Sequence, residues 1–181
     1  MKTITTESWQ LKFRNTISLY FDACCVNAQN ERTNNIPNSV DAYIKIRRNS
    51  GAVMTSFNLI EPLLGIQVSY DNQDLQNLMD NLMDYCNDHI CFTNDLYSLK
   101  KELMEGEVDN IIVVLRQLHQ YSLQEAITYT IDLINKRIYL YLINVSILII
   151  ALIIANCLPM QPPNPLPKYI IFGMLIMENL L

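Results

Sequence analysis

Three oxygen-bearing side chains in the middle of the sequence have the types and the spacing of a metal site. Asn94, Ser98 and Glu102 follow one another at intervals of four residues. On an α-helix each such step advances only about 40° around the axis, so the three side chains share one face. An amide oxygen, a hydroxyl and one carboxylate are hard donors that suit Mg²⁺ with waters or substrate oxygens completing its shell. The spacing predicts a Mg²⁺ site, with Lys101 beside it as a cation for phosphate, although ordinary solvated helix faces show the same spacing.

A second candidate site is a pair of arginines, Arg47 and Arg48, shortly before Gly51. The guanidinium fork of arginine matches two phosphate oxygens at once. Gly51 is expected to end or kink the helix that carries the pair, so that backbone carbonyl groups there leave the helical ladder. The segment is therefore suited to bind an anion and to move a backbone dipole. Taken alone, paired arginines are more often surface features.

The segments that carry both sites have helical periodicity, with apolar residues recurring every three or four positions. A polar run at residues 29–35 predicts a loop, and Ser122 with Glu125 has the form of a capping box. The predicted helices span residues 9–27, residues 53–64, residues 75–105 and the segment from the candidate caps Asn38 and Ser39 to Gly51, and a further helix begins at Ser122.

The composition narrows the class of protein. Only four of the 181 residues are glycine, against a usual share of about 7%, which disfavours an all-β fold. A net charge of −5 argues against nucleic acid as a partner, because binding a phosphate backbone requires a basic surface. The five cysteines form no C-x-x-C pair, and no apolar signal-peptide core is seen before Trp9. Together these features predict a cytoplasmic protein with reduced thiols.

The two candidate segments together resemble the class I terpene synthases. The pattern N-D-x-x-S-x-x-K-E at residues 94–102 is similar to that family's second metal-binding motif, the NSE triad. The pattern Y-I-x-x-R-R-x-S-G-A at residues 43–52 resembles its diphosphate-sensor region, in the form seen in basidiomycete-type fungal sesquiterpene synthases. The resemblance extends over roughly residues 9–132 and keeps the two motifs in the family's order.

The resemblance implies an all-α fold, part of the class I terpenoid synthase helical bundle. It implies a lyase that ionises an isoprenyl diphosphate, most simply farnesyl diphosphate, and cyclises the carbocation with Mg²⁺ as cofactor. By this resemblance Asn94, Ser98 and Glu102 are metal ligands. Lys101 and Arg48 contact the substrate diphosphate, with Arg47 as the substitute sensor, and Gly51 and Ala52 take the linker and effector positions of the broken helix. Phe57, Ile90 and Cys91 are candidate walls of the pocket, or simply core residues.

One departure from the family concerns the first metal-binding motif. Class I terpene synthases carry an aspartate-rich motif on an earlier helix, and this sequence contains no adjacent aspartates. The family's C-terminal Arg-Tyr pair is also absent. We therefore expect the chain to correspond to the C-terminal half of the domain, and to be unable to cyclise a substrate alone.

A second departure is the tail, which divides the sequence into a terpene synthase segment at 1–135 and an apolar segment at 136–181. Residues 138–158 are uncharged and long enough for a transmembrane helix. A buried helix and a continuation that is not native to the domain, such as a misassembled gene model, are the other interpretations. The resemblance favours the last, because terpene synthases of this type are soluble. The alternative class of protein is a tail-anchored membrane protein whose helices form an interaction module.

Overall fold

The computed structural model of the chain describes residues 5–66 and 72–157, the last seven as backbone only, and these residues contain helices and no strand. The helices in chain order are α1 (Glu7–Thr33), α2 (Val40–Ser50), α3 (Val53–Leu64), α4 (Gln73–Glu105), α5 (Ile111–His119) and α6 (Leu123–Cys157).

Polar side chains immediately before most helices fix where the helices begin. Ser39 accepts a hydrogen bond from the backbone N–H of Ala42 at 3.1 Å, which satisfies one of the unpaired donors of α2. Ser122 and Glu125 exchange side-chain and backbone hydrogen bonds at the start of α6. The predicted cap at Ser39 and the predicted capping box are both confirmed.

The first helix is longer than its apolar periodicity predicts. α1 continues to Thr33, through most of the polar run at 29–35 that we expected to form a loop. Gln, Glu and Arg have good helix propensity, so a polar run on a solvated surface can extend a helix without apolar residues. The helix ends where Asn34 adopts left-handed φ and ψ angles of 48° and 43° and its N–H bonds two preceding carbonyl groups.

The hydrophobic core surrounds α5, which contacts α2, α4 and α6. Every residue from Ile111 to Leu115 is buried, so this helix has no solvated face over its first turn. Tyr43 of α2 and Phe92 of α4 are the largest aromatic side chains in the same cluster. Because α4 contacts α2, α3, α5 and α6, it is the helix against which both candidate sites are built.

The last described helix joins the two segments that the sequence separates. α6 is continuous from Leu123 to Cys157, so the predicted boundary between residues 135 and 136 lies inside it. It packs along α4, and Arg137 of α6 forms an ion pair with Asp88 of α4. The proline-rich stretch at 159–167 and the rest of the tail lie outside the described residues.

By length and composition, one stretch of the described residues, Leu123–Ile150 in α6, is long and apolar enough to cross a bilayer. Most of its residues are exposed in this structure. The stretch also contains four charged residues, and one of them, Arg137, is paired with α4. A bundle helix with one uncovered side meets the same criterion, so the composition alone does not define a membrane span.

Candidate functional site

The three predicted metal ligands lie on one face of α4, as their spacing requires. The Asn94 side chain is exposed, whereas Ser98 and Glu102 are half-buried. Ser98 Oγ donates to the backbone carbonyl of Asn94 at 2.7 Å. Glu102 Oε2 accepts from Asn110 Nδ2 at 2.8 Å, so the other carboxylate oxygen has no protein donor among the described residues. The face thus presents three oxygens along two turns of one helix.

The chemistry of these oxygens fits Mg²⁺. The Ser98 proton is directed at a backbone carbonyl, which leaves the lone pairs of its hydroxyl oxygen for a cation. Asn110 orients Glu102 while leaving one of its oxygens open, as a supporting residue does at many metal sites. One carboxylate and two neutral oxygens provide few ligands, which suits an ion that retains waters or binds substrate phosphate oxygens. No cluster of three His, Cys, Asp or Glu suited to a metal occurs in the described part of the chain.

Arg47 joins α2 to the N-terminal member of this triad. Its guanidinium donates to Asn94 Oδ1 at 2.8 Å and forms an ion pair with the fully buried carboxylate of Asp95 at 2.7 Å. The Tyr43 hydroxyl and the backbone N–H of Ile111 also donate to Asp95. Burial raises the pKa of Asp95, and the charge of Arg47 opposes that shift. Because the carboxylate with which it pairs is fully buried, Arg47 is held as part of the core.

Arg48 points toward the N-terminal half of α4 and is more accessible. It makes a two-pronged contact with Asp88, with Nε to Oδ1 at 2.6 Å and Nη2 to Oδ2 at 2.8 Å. It also pairs with Asp84, whose side chain is 43% exposed. Arg137 Nε approaches the same Asp88 Oδ2 at 2.6 Å. The two arginines of the predicted sensor region therefore lie apart, and only Arg47 touches the triad.

The helix break between α2 and α3 lies at Gly51, as predicted. The glycine is needed there for packing, however, and not for its backbone conformation. Gly51 has φ −68°, which any residue adopts, whereas Ala52 takes the left-handed conformation at φ 58°. A Cβ atom on Gly51 would lie 2.5 Å from Cys91 Sγ. The glycine is thus required by close packing of the break against α4.

Side chains of α4 also bind carbonyl groups at the break, although that of Arg47 already accepts from the backbone N–H of Gly51 at 2.9 Å. Asn87 Nδ2 donates to the carbonyl of Arg48 at 2.9 Å. The Cys91 thiol lies 3.7 Å from the carbonyl of Arg47 and 3.2 Å from Asn87 Oδ1. Burial raises the pKa of the Cys91 thiol to about 11, so the group remains protonated and can donate. The break is therefore a built feature, held by two buried residues.

Lys101 and the three candidate wall residues differ in how far they are exposed to solvent. Lys101 is exposed and pairs with Glu105 at 3.3 Å, one turn further along α4. Cys91 is buried beneath Gly51, Phe57 packs against the core, and Ile90 is largely exposed. The assignment of these three residues to the walls of a pocket stays a prediction.

Sequence reasoning missed four residues that organise the site, namely Asp88, Asp95, Asn110 and Arg137. Asp95 lies within the quoted 94–102 pattern but received no role, because a carboxylate beside a metal ligand gives no sign of which helix it faces. Asn110 precedes an apolar run and has the form of an N-cap, which was a usable signal. The pairing of Asp88 with Arg137 joins residues 49 positions apart, and no local pattern indicates it.

The arrangement of these helices defines the class of fold. It is similar to the crystal structure of a-eudesmol synthase, with a TM-score of 0.67 over 82% of this chain and 47% of that chain. At 23% sequence identity this likeness shows the fold alone. The predicted all-α fold of a terpenoid synthase bundle is confirmed.

The family follows from the sequence comparisons. Residues 1–139 match the family described as terpene synthase family 2, C-terminal metal binding. The chain belongs to this family, and the metal-binding description implies a divalent ion.

Two curated relatives show how much of a whole enzyme the chain covers. One is the (+)-eremophilene synthase of Sorangium cellulosum, 38% identical over 122 residues, which are 67% of this chain and 36% of that protein. The other is sesquiterpene synthase Agr3 of Cyclocybe aegerita, 32% identical over 129 residues, which are 71% of this chain and 36% of that protein. The chain thus spans about a third of the length of these relatives. The alternative of a tail-anchored interaction module is not supported.

Proposed function

We propose that the chain provides the NSE-type metal site and the diphosphate sensor of a class I sesquiterpene synthase. The substrate is an isoprenyl diphosphate, specifically farnesyl diphosphate, and the reaction is its ionisation followed by carbocation cyclisation. The observation that carries the proposal is the single face of α4 on which Asn94, Ser98 and Glu102 present metal-accepting oxygens. A relative named as a sesquiterpene synthase, from Cyclocybe aegerita, and one named as a (+)-eremophilene synthase, from Sorangium cellulosum, support the class of substrate.

Each residue has a defined part in this proposal. A bound Mg²⁺ would neutralise charge on the departing diphosphate. Asn94, Ser98 and Glu102 hold that ion, and Asn110 keeps Glu102 oriented toward it. Lys101, exposed at the edge of the same face, meets the diphosphate as a point charge once it leaves Glu105.

The diphosphate sensor in this proposal is Arg48. Its side chain is 27% exposed, against 12% for Arg47, and one of its two carboxylate partners, Asp84, is partly solvated. Arg47 would have to abandon the fully buried Asp95, and an unpaired buried carboxylate is costly. Gly51 and Ala52 then carry the linker and effector roles, because they lie three and four residues after the sensor at a helix break that α4 holds in place.

The 181 residues contain no aspartate-rich motif, so the proposal assigns to them one of the two metal-binding walls of such an enzyme. We place the enzyme in the cytoplasm within the same proposal. Cys24, Cys25, Cys86 and Cys91 are free thiols in the described part of the chain, as expected in a reducing compartment.

The proposal is tested by titrating the full chain with inorganic pyrophosphate in the presence and absence of Mg²⁺, using calorimetry. We expect binding that requires both, and S98A and E102Q should each weaken it at least about tenfold. S146A is the matched control, since Ser146 also donates to the carbonyl four residues earlier but lies exposed on α6. Unchanged pyrophosphate affinity in S98A and E102Q, or binding that ignores Mg²⁺, would contradict the proposal.

A further inference from the structure

A four-charge cluster joins three helices at the predicted sensor. Arg48 of α2 and Arg137 of α6 both bind Asp88 of α4, and Arg48 also binds Asp84 of α4. Asp88 is fully buried, whereas Asp84 is 43% exposed. The two cations and two anions cancel, so the cluster is neutral while Arg48 stays in it.

The cluster poses a problem for the proposed sensor. Arg48 occupies its guanidinium with two carboxylates, and it can bind diphosphate only by giving up part of these contacts. Leaving Asp84 costs little, because water reaches its oxygens. Leaving Asp88 would strand a buried carboxylate, which is unfavourable unless another cation remains beside it.

Arg137 is placed to be that cation. Its Nε lies 2.6 Å from Asp88 Oδ2, and its side chain is 14% exposed. The guanidinium carbon lies 6.0 Å from the centre of the Phe92 ring, a contact that favours keeping the charge where it is. Arg137 therefore stays in the cluster when Arg48 moves, and Asp88 keeps a partner.

We propose that Arg137 is a positioning residue for the diphosphate sensor: it neutralises Asp88 and so allows Arg48 to exchange Asp84 and Asp88 for diphosphate oxygens. This inference rests on the proposed function, because it assumes that the site binds diphosphate through Arg48. By the same inference, Asp84 competes with diphosphate for Arg48 and pairs with it while no diphosphate is bound. Arg137 acts through Asp88 and touches no ligand.

The inference is tested by the affinity of the full chain for inorganic pyrophosphate with saturating Mg²⁺. We expect R137Q to weaken binding about three- to tenfold, because Arg48 becomes the only cation left for Asp88. K136Q is the matched control: it removes the same charge from the neighbouring, exposed residue and should leave the affinity unchanged. R137K restores the charge and should recover most of the loss.

Two further variants separate this role from a general effect on stability. D84N should tighten pyrophosphate binding more than D80N, which removes an equal charge one turn earlier on α4, because Asp84, unlike Asp80, forms an ion pair with Arg48. In an R48Q background, R137Q should have no further effect, since no sensor remains to be released. Thermal unfolding of each variant verifies that it is folded.

A spectroscopic readout follows the exchange directly. In chain labelled with ¹⁵N-arginine, Mg²⁺ and pyrophosphate should shift the Nε–H signal of Arg48 and leave that of Arg137 in place. Equal affinity of folded R137Q and wild type, or the same loss with and without Arg48, would overturn the inference while leaving the proposed function intact. Absence of any pyrophosphate binding by the wild type would overturn both.

Discussion

At the scale of single residues, burial changes the acidity of Asp109, which precedes the N-cap of α5. Asn27 of α1 donates to its Oδ2. The pKa of Asp109 is raised to about 6: removal from water is the largest cause, Arg47 opposes it, and the carboxylates of Asp95, Glu31 and Glu102 add to it. At neutral pH the carboxyl group is therefore charged in surroundings that favour its neutral form.

This shift predicts a pH dependence of stability. A carboxyl group whose pKa is higher in the folded than in the unfolded chain takes up protons on folding. The free-energy cost of holding the group charged in the folded chain therefore appears as the pH rises. We expect that cost to develop between about pH 4 and pH 6 and to reach about 3 kcal/mol above that range. D109N, which can still accept from Asn27, should remove it and raise the free energy of unfolding at pH 7.

The measurement is urea denaturation of wild type and D109N from pH 4 to pH 8, in which the difference between the two curves isolates this group. D22N is the control, because Asp22 is exposed on α1. Parallel pH profiles for wild type and D109N would show that the environment of Asp109 does not disfavour its charge.

At the scale of elements, one side chain at the start of α5 serves both the fold and the candidate site. Asn110 Oδ1 caps the backbone N–H of Ile112 at 2.8 Å. Its Nδ2 donates to the carbonyl of Asp95 at 2.7 Å and to Glu102 Oε2 at 2.8 Å. A single buried amide thus begins α5, ties it to α4 and orients a predicted metal ligand.

We expect N110D to destabilise the chain although aspartate is a good N-cap residue. The carboxylate keeps the cap, but its second oxygen faces two acceptors in place of donating to them, at a cost of about 2 to 4 kcal/mol at pH 7. The cost should shrink at pH 4.5, because protonation restores a donor. The free energy of unfolding at the two pH values measures both effects.

N72D is the matched control for that experiment. Asn72 caps α4 by accepting from the backbone N–H of Asp74, and it is exposed. Its replacement by aspartate should leave stability within about 0.5 kcal/mol of the wild type, as surface substitutions usually do. Equal destabilisation by N72D and N110D would contradict the role given to the buried donor.

At the scale of the whole molecule, the described helices leave a large apolar surface uncovered. Exposed large side chains lie along α1 and α6, among them Leu11, Phe21, Tyr139, Leu142 and Ile150. Cyclisation of a carbocation needs a closed, dry pocket, and the triad face of α4 is open to solvent at Asn94.

We therefore expect the purified chain, given farnesyl diphosphate and Mg²⁺, to release no cyclic terpene hydrocarbon, although it binds pyrophosphate. Gas chromatography of the organic extract is the measurement. The (+)-eremophilene synthase of Sorangium cellulosum serves as a positive control in the same buffer. A terpene product from the chain alone would show that these residues suffice to close the pocket.

Several features of the fold could be predicted because they depend on neighbouring residues. Periodicity and caps place α2, α3 and α4 within a few residues of their observed bounds. The polar end of α1 could not be predicted in this way, since it is helical without an apolar stripe. The break after α2 was predicted at the right place, but the residue with positive φ is Ala52, and the need for Gly51 comes from Cys91 in another helix.

The sequence by itself determined the helical class, the motifs that resemble terpene synthases and the shared face of Asn94, Ser98 and Glu102. Each of these follows from spacing along one helix, where geometry repeats every 3.6 residues. Only the tertiary structure decided that Arg47 enters the core with Asp95, while Arg48 shares Asp88 with Arg137. Such pairings depend on how α2 and α6 pack against α4, because charges distant in sequence meet only when packing brings their helices together.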